Sequence, residues 1–140
     1  MKMTLMAGVV LFLLLRGLAV AGYTDNGNGT VTDTVTNLMW QQQDDATVRT
    51  WEQALTYCEG LSFGGHTDWR LPNIKELKSL ADTTRYNPSI NPIFINTKSS
   101  SYWSSTTYVS NSTFAWDVGF PNGVVGYYNK TYSDYVRCVR

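Results

Sequence analysis

The apolar positions of the chain change their spacing several times, and each change predicts a different element. Val9 to Leu15 is an unbroken apolar run of seven residues, preceded by Lys2 and followed by the small-x-small triplet Ala19-Val20-Ala21. That order reads as an export address over residues 1–21, removed before Gly22, with an apolar run too short to span a membrane. Next comes a polar stretch, Tyr23 to Asp33, in which two Asn-Gly pairs precede Thr30-Val31-Thr32. Asn-Gly supplies the positive-φ positions of a tight turn, so a hairpin is predicted, followed by a second apolar strand over Thr36–Trp40 with Asn37 as a turn residue. From Thr50 to Leu61 the period becomes helical, with Trp51, Ala54, Leu55, Cys58 and Leu61 on one face. Thr50 caps this helix and Gln53 completes a capping box. Ile74, Leu77 and Leu80 outline a second, shorter helix ending near Ala81, capped by Asn73 and Glu76.

Beyond the second helix the pattern becomes extended. Asn87-Pro88 and Asn91-Pro92 mark an irregular connection, with Ile93-Phe94-Ile95 as an apolar anchor. Tyr102–Tyr108 and Phe114–Phe120 read as strands, the second placing Phe114, Trp116, Val118 and Phe120 on one face and Ala115, Asp117 and Gly119 on the other. Pro121-Asn122-Gly123 turns the chain into Val124–Tyr128, and Tyr135–Val139 closes the sheet with Val136 and Cys138 on one side. The prediction is one α+β domain over residues 22–140, with early helices and a late antiparallel sheet.

Asp68-Trp69-Arg70-Leu71-Pro72 enters the second helix at a corner that holds an aromatic, a cation and a carboxylate. Pro72 biases Leu71 to an extended conformation, which separates strand from helix. Asp68, Trp69, Arg70, Pro72 and Glu76 are read as a structural corner: Trp69 in the core, Arg70 buried against an acid, Asp68 tying off the preceding glycine turn. An active site is the rival reading, but no nucleophile or base sits nearby in sequence. Removal of Trp69 or Arg70 is therefore expected to unfold the domain.

Charge and composition narrow the function. Without residues 1–21 the chain carries 9 basic and 11 acidic residues, a net charge of about −2 that makes a poor partner for nucleic acid. Two cysteines remain, Cys58 and Cys138. An even count in an oxidising compartment predicts one disulfide, closing a loop worth roughly 4 to 5 kcal/mol in the chain-entropy account; two unpaired buried thiols are the alternative. His66 is the only histidine, so neither a catalytic triad nor a transition-metal site is easy to assemble. Asp44-Asp45 lies in a polar loop and is expected to be solvated. Counted from Asp25, the positions a calcium loop needs as oxygen donors are Gly27 and Gly29, which excludes that motif. The expectation is a non-enzyme with no cofactor and no metal.

Aromatic and amide residues carry the functional lead, among 5 Trp and 9 Tyr. Tyr108, Asn111, Asn122, Tyr127, Tyr128, Asn129 and Lys130 are the candidate ligand-binding residues, since flat rings beside hydrogen-bonding side chains suit a sugar or a protein epitope. The same tyrosines packing the sheet edge is the competing reading. Asn111-Ser-Thr113 and Asn129-Lys-Thr131 are sequons of the kind an Asn- and Thr-rich chain contains by chance.

Seven motifs then occur in order: Asp25-Asn-Gly-Asn-Gly-Thr-Val-Thr-Asp33, Asn37-Leu-Met-Trp40, Trp51-Glu-Gln-Ala54 with Tyr57-Cys58, Asp68-Trp-Arg-Leu-Pro72, Glu76-Leu77, Tyr102-Trp-Ser-Ser105 and Tyr135-Val-Arg-Cys-Val-Arg140. Together they resemble the C-terminal domain family of the Legionella collagen-like adhesin over nearly all of residues 23–140. The resemblance implies a C-type-lectin-like fold, in which a disulfide from first helix to last strand recurs, and it implies adhesion, the named adhesin binding sulfated glycosaminoglycans. The present chain differs in its slightly acidic charge and in having no collagen-like repeat. It also lacks the Glu-Pro-Asn, Gln-Pro-Asp and Trp-Asn-Asp motifs of calcium-dependent lectins. The expectation is a secreted, periplasmic or cell-surface module that binds a surface glycan or protein, with no nucleic acid and no membrane span in the mature chain. A structural subunit that buries its aromatics in a homo-oligomer is the alternative.

Overall fold

The computed structural model describes residues 19–20 and 22–140, so the export address read over residues 1–21 lies outside the described residues apart from the pair Ala19–Val20. That pair forms β1 and runs antiparallel to β2 (Tyr23–Asp25). β2 then pairs with β3 (Thr30–Asp33), and β3 with β4 (Met39–Gln41), giving a sheet of four short antiparallel strands. Two helices follow, α1 (Trp51–Glu59) and α2 (Ile74–Ser79). A second antiparallel sheet is built from β5 (Ser101–Thr107), β6 (Phe114–Gly119) and β7 (Val124–Asn129). The fold is α+β, and among the described residues no helix is long and apolar enough to cross a membrane.

Local chemistry explains the early elements. In the β2–β3 turn, Asp25 Oδ1 accepts from the Gly27 amide and Asn28 Oδ1 from both the Thr30 amide and its hydroxyl. Gly29 sits at φ 84° against the Phe63 ring, which is 2.7 Å from where a Cβ would lie. A side chain there would meet both strain and a clash. Both predicted capping boxes form, Thr50 with Gln53 and Asn73 with Glu76.

The three-stranded sheet separates two cores, and neighbouring residues of one strand feed different sides. Tyr102, Val118 and Phe120 join Val31, Trp40, Leu77 and Leu80 in the first core. Trp103 and Ala115 join Ala54, Cys58, Trp69 and Leu71 in the second. β6 is therefore buried at its Val118 end on both faces, while Phe114 and Trp116 on its other half are only partly covered.

The C-terminal segment ties these layers together, although it is not the continuous strand expected over Tyr135–Val139. It makes isolated bridges: Tyr135 to Tyr102, and Val139 to both Trp40 and Arg70. Val139 exchanges two backbone hydrogen bonds with Arg70, while the amides of Met39 and Gln41 donate to the carbonyls of Arg140 and Cys138. Cys58 and Cys138 form a disulfide with Cα atoms 5.6 Å apart, linking α1 to this segment.

The corner at Trp69 is assembled differently from the expectation. Trp69 is buried, its indole N–H donating to the Phe63 carbonyl at 3.0 Å. Arg70 is not buried: it makes two parallel 2.7 Å bonds to Glu76 on the surface, where its side chain stays 46% exposed. Asp68 pairs with Arg140 rather than with the glycine turn. A half-exposed ion pair contributes little, so Arg70→Ala is expected to cost about 0.2–1 kcal/mol and leave the domain folded, measured by urea unfolding.

Arg137 is the buried cation. It is fully enclosed, donates Nη1 to the carbonyls of Gln41 and Gln42 at 2.6 and 2.7 Å, and Nη2 to Thr97 Oγ1 at 2.9 Å. Asp44 Oδ2 stands 3.6 Å from Nη2 and also accepts the Tyr102 hydroxyl. The expectation that Asp44-Asp45 is solvated fails for Asp44, which is buried because Arg137 needs its charge. Asp45 is partly exposed and forks onto Arg49.

Candidate functional site

The β6–β7 register decides which aromatics can act together. Trp116 lies opposite Tyr127, Ala115 opposite Tyr128 and Phe114 opposite Asn129. Directly opposed residues share a face and consecutive ones do not, so Tyr127 and Tyr128 point to opposite sides. The Tyr127 side carries a cluster of four rings. Tyr127 stacks on Tyr108 with centroids 4.4 Å apart and planes within 7°, and meets Trp116 and Phe114 edge-on. Tyr108 also meets Trp116 edge-on at 5.0 Å. The stack is held by the loop between β5 and β6, where the Tyr108 amide donates to the Phe114 carbonyl and the Asn111 amide to the Tyr108 carbonyl.

Tyr127 is 52% exposed and neighbouring Val109 94%, while Tyr108, Phe114 and Trp116 are half-buried. Asn111 and Asn129 flank them. Each uses Oδ1 to accept from the amide and hydroxyl of the threonine two residues on, Thr113 or Thr131. That fixes the amide orientation and leaves each Nδ2 without a protein acceptor among the described residues. The site is thus a ring surface with donors at its margin.

The other candidates fall elsewhere. Tyr128 tilts onto Trp103 and Tyr132 on the far face. Lys130 is spent on structure, its Nζ 2.9 Å from Thr107 Oγ1 and 3.9 Å above the Trp51 ring. Asn122 sits in the β6–β7 turn at the opposite end of the sheet, where its Oδ1 accepts from the Val124 amide. Of seven predicted ligand residues, Tyr108, Asn111, Tyr127 and Asn129 come together. Phe114 and Trp116 complete the cluster and were missed as site residues. Their alternation was visible, and pairing β6 with β7 across Asn122-Gly123 would have placed Trp116 beside Tyr127.

A cleft of about 410 Å³, separate from these rings, is lined by apolar Tyr57, Leu61, Phe63 and Ile95 and by polar residues that include Gln41, Gln43 and Asp45. Much of its polar wall is satisfied internally, although Gln43 has no side-chain partner among the described residues. Gln41 Oε1 accepts from the Cys138 amide, and Asp45 is held by Arg49, which keeps its carboxyl below the usual carboxylate range. Among the described residues no group of three or more His, Cys, Asp or Glu side chains is placed to hold a metal ion.

Residues 29–140 match the family model described as the Lcl C-terminal domain. No curated protein matches the chain.

Proposed function

We propose that this chain, which belongs to the Lcl C-terminal domain family, is an exported, non-enzymatic binding module that recognises a surface glycan or protein through the rings of Tyr108, Phe114, Trp116 and Tyr127. The single observation that carries this reading is the solvent-facing stack of Tyr127 on Tyr108, flanked by two amide donors without an acceptor among the described residues. Rings pre-packed against one another give contact area at low entropy cost, which is what a recognition surface needs. Membership of an adhesin-associated family supports the same reading. A C-type-lectin-like fold is part of the proposal, supported by two helices, antiparallel sheets and a disulfide from α1 to the chain end.

A homo-oligomer contact through the same rings is the second reading, favoured by Val109, an aliphatic side chain 94% exposed beside them. A glycan array, with a parallel pull-down on surface proteins and sizing of the free chain, separates the two. Retained glycans or proteins with a monomeric chain support recognition; a stable oligomer that buries Tyr127 and retains no ligand supports the contact.

The mode of recognition has its own test. Lys130 is the only base between Ser99 and Asp134, and it is committed to Trp51 and Thr107. Binding therefore rests on stacking and neutral hydrogen bonds, and affinity is expected to change less than about threefold between 50 and 200 mM salt. A reader of polyanions through 6–10 phosphate-like contacts would lose about 10³–10⁵ over that range.

A further inference from the structure

On the Tyr128 side of the three-stranded sheet, Asp117 and Asp134 are each buried, 6% and 7% exposed, with their carboxyls close enough to interact. Asp117 lies opposite Trp103 on β5 and Gly126 on β7. A Cβ at Gly126 would fall 2.8 Å from the Asp117 Oδ1, so this glycine makes room for the acid. Asp134 ends the segment 130–134 that follows β7, and its backbone exchanges two hydrogen bonds with Arg49. Its Oδ2 is buried with no hydrogen-bond partner among the described N–H and O–H groups.

Cations near this pair are committed elsewhere. The Arg49 guanidinium is forked onto Asp45 and lies over the Tyr57 ring, and Lys130 rests on Trp51 and Thr107. At the start of α1, Glu52 adds a further negative charge beside Lys130, while β5 and β7 bring Trp103 and Tyr128, which carry none. Two ionised carboxylates in such a place would repel without compensation, whereas one proton between them satisfies the orphaned oxygen. We propose that Asp117 and Asp134 share a single proton, and that this proton latches the segment 130–134 onto the sheet.

The direction of the pH dependence follows. Burial, reinforced by the charge of Asp117, pushes the Asp134 carboxyl up to about 7, and burial raises Asp117 as well. In the unfolded chain an aspartate titrates near about 3.9. Between roughly pH 4 and 7 the folded chain keeps a proton that the unfolded chain releases. The pair's contribution is greatest below about pH 4, declines as pH rises, and levels off above about pH 7. Asp45 and Glu76, whose pKa values are lowered by Arg49 and Arg70, act in the opposite sense and only at acid pH, where their stabilisation is lost as pH falls. The interval from about pH 5 to 7 therefore reports the pair.

The test is chemical unfolding of the wild-type chain and Asp134→Asn from pH 5 to 8. The wild-type unfolding constant should rise about tenfold per pH unit up to about pH 7 and then flatten. In Asp134→Asn the introduced amide donates to Asp117 without a titrating proton, so this slope should vanish. Equal slopes in both chains would overturn the proposal. If the variant does not fold, infrared spectra of the wild type at pH 6 decide: a protonated carboxyl band supports the shared proton and its absence overturns it. Exchange protection of the Asp134 amide, corrected for the intrinsic rate, should fall over the same interval, and pH-independent protection would remove the latch. Calcium that stabilises the wild type at pH 8 but not Asp134→Asn would put a cation in the proton's place, and would also overturn it.

Discussion

Arg137→Ala is expected to unfold the domain or bring it close to unfolding, at a cost of about 3–5 kcal/mol. The substitution leaves the Asp44 carboxylate buried beside the Tyr102 hydroxyl with no cation, and removes the donors to the carbonyls of Gln41 and Gln42. It also removes a cation from between the Phe94 and Tyr102 rings, 5.3 and 5.9 Å away. A loss of this size is a large part of the roughly 5–15 kcal/mol that holds a typical domain folded. Urea unfolding of Arg137→Ala beside Arg70→Ala provides the contrast, since both remove an arginine paired with an acid. Equal and small losses would mean that Arg137 is not the centre of the fold.

Loss of the disulfide is the second large effect. The Cys58–Cys138 bond closes a loop between residues 80 apart in sequence and fastens the segment that bridges Trp40, Arg70 and Tyr102. Replacing both cysteines by alanine is expected to cost about 2–5 kcal/mol, shown as a lower midpoint in urea. Protein recovered from its native host should have a mass two hydrogens below the dithiol form. Thiols that alkylate there without reduction would contradict the bond.

The parts of the fold legible in the sequence were those set by chemistry within a few residues. Thr50 with Gln53 and Asn73 with Glu76 are capping boxes whether or not anything packs on them. The turns at Asn37 and Gly123 show the positive φ that their residue types suggest. What escaped was set by pairing across long separations. Arg137 looks like an ordinary charge between Val136 and Cys138, and its carboxylate partner is Asp44, far upstream. Arg70, by contrast, had its acid six residues away at Glu76, and that closeness made it the apparent anchor. The candidate site divided for the same reason. Tyr127 and Tyr128 are adjacent in the chain, but a strand sends neighbours to opposite faces, and only the register with Trp116 and Ala115 shows which face each takes. The alternation put Asp117 on the face of Ala115 and Gly119, but nothing local tied it to Asp134, 17 residues further along the chain.

That division of faces gives the most direct test of the proposed recognition surface. The ligands retained on the array, or the protein captured in the pull-down, should be titrated against the wild-type chain, Tyr127→Ala and Tyr128→Ala. Tyr127→Ala is expected to weaken binding by about 1–2 kcal/mol, or roughly 5- to 30-fold, while the chain stays folded. Tyr128→Ala, on the Trp103 side, should leave affinity within about twofold of wild type. Weaker binding by Tyr128→Ala with Tyr127→Ala unchanged would place the ligand on the opposite face and contradict the account.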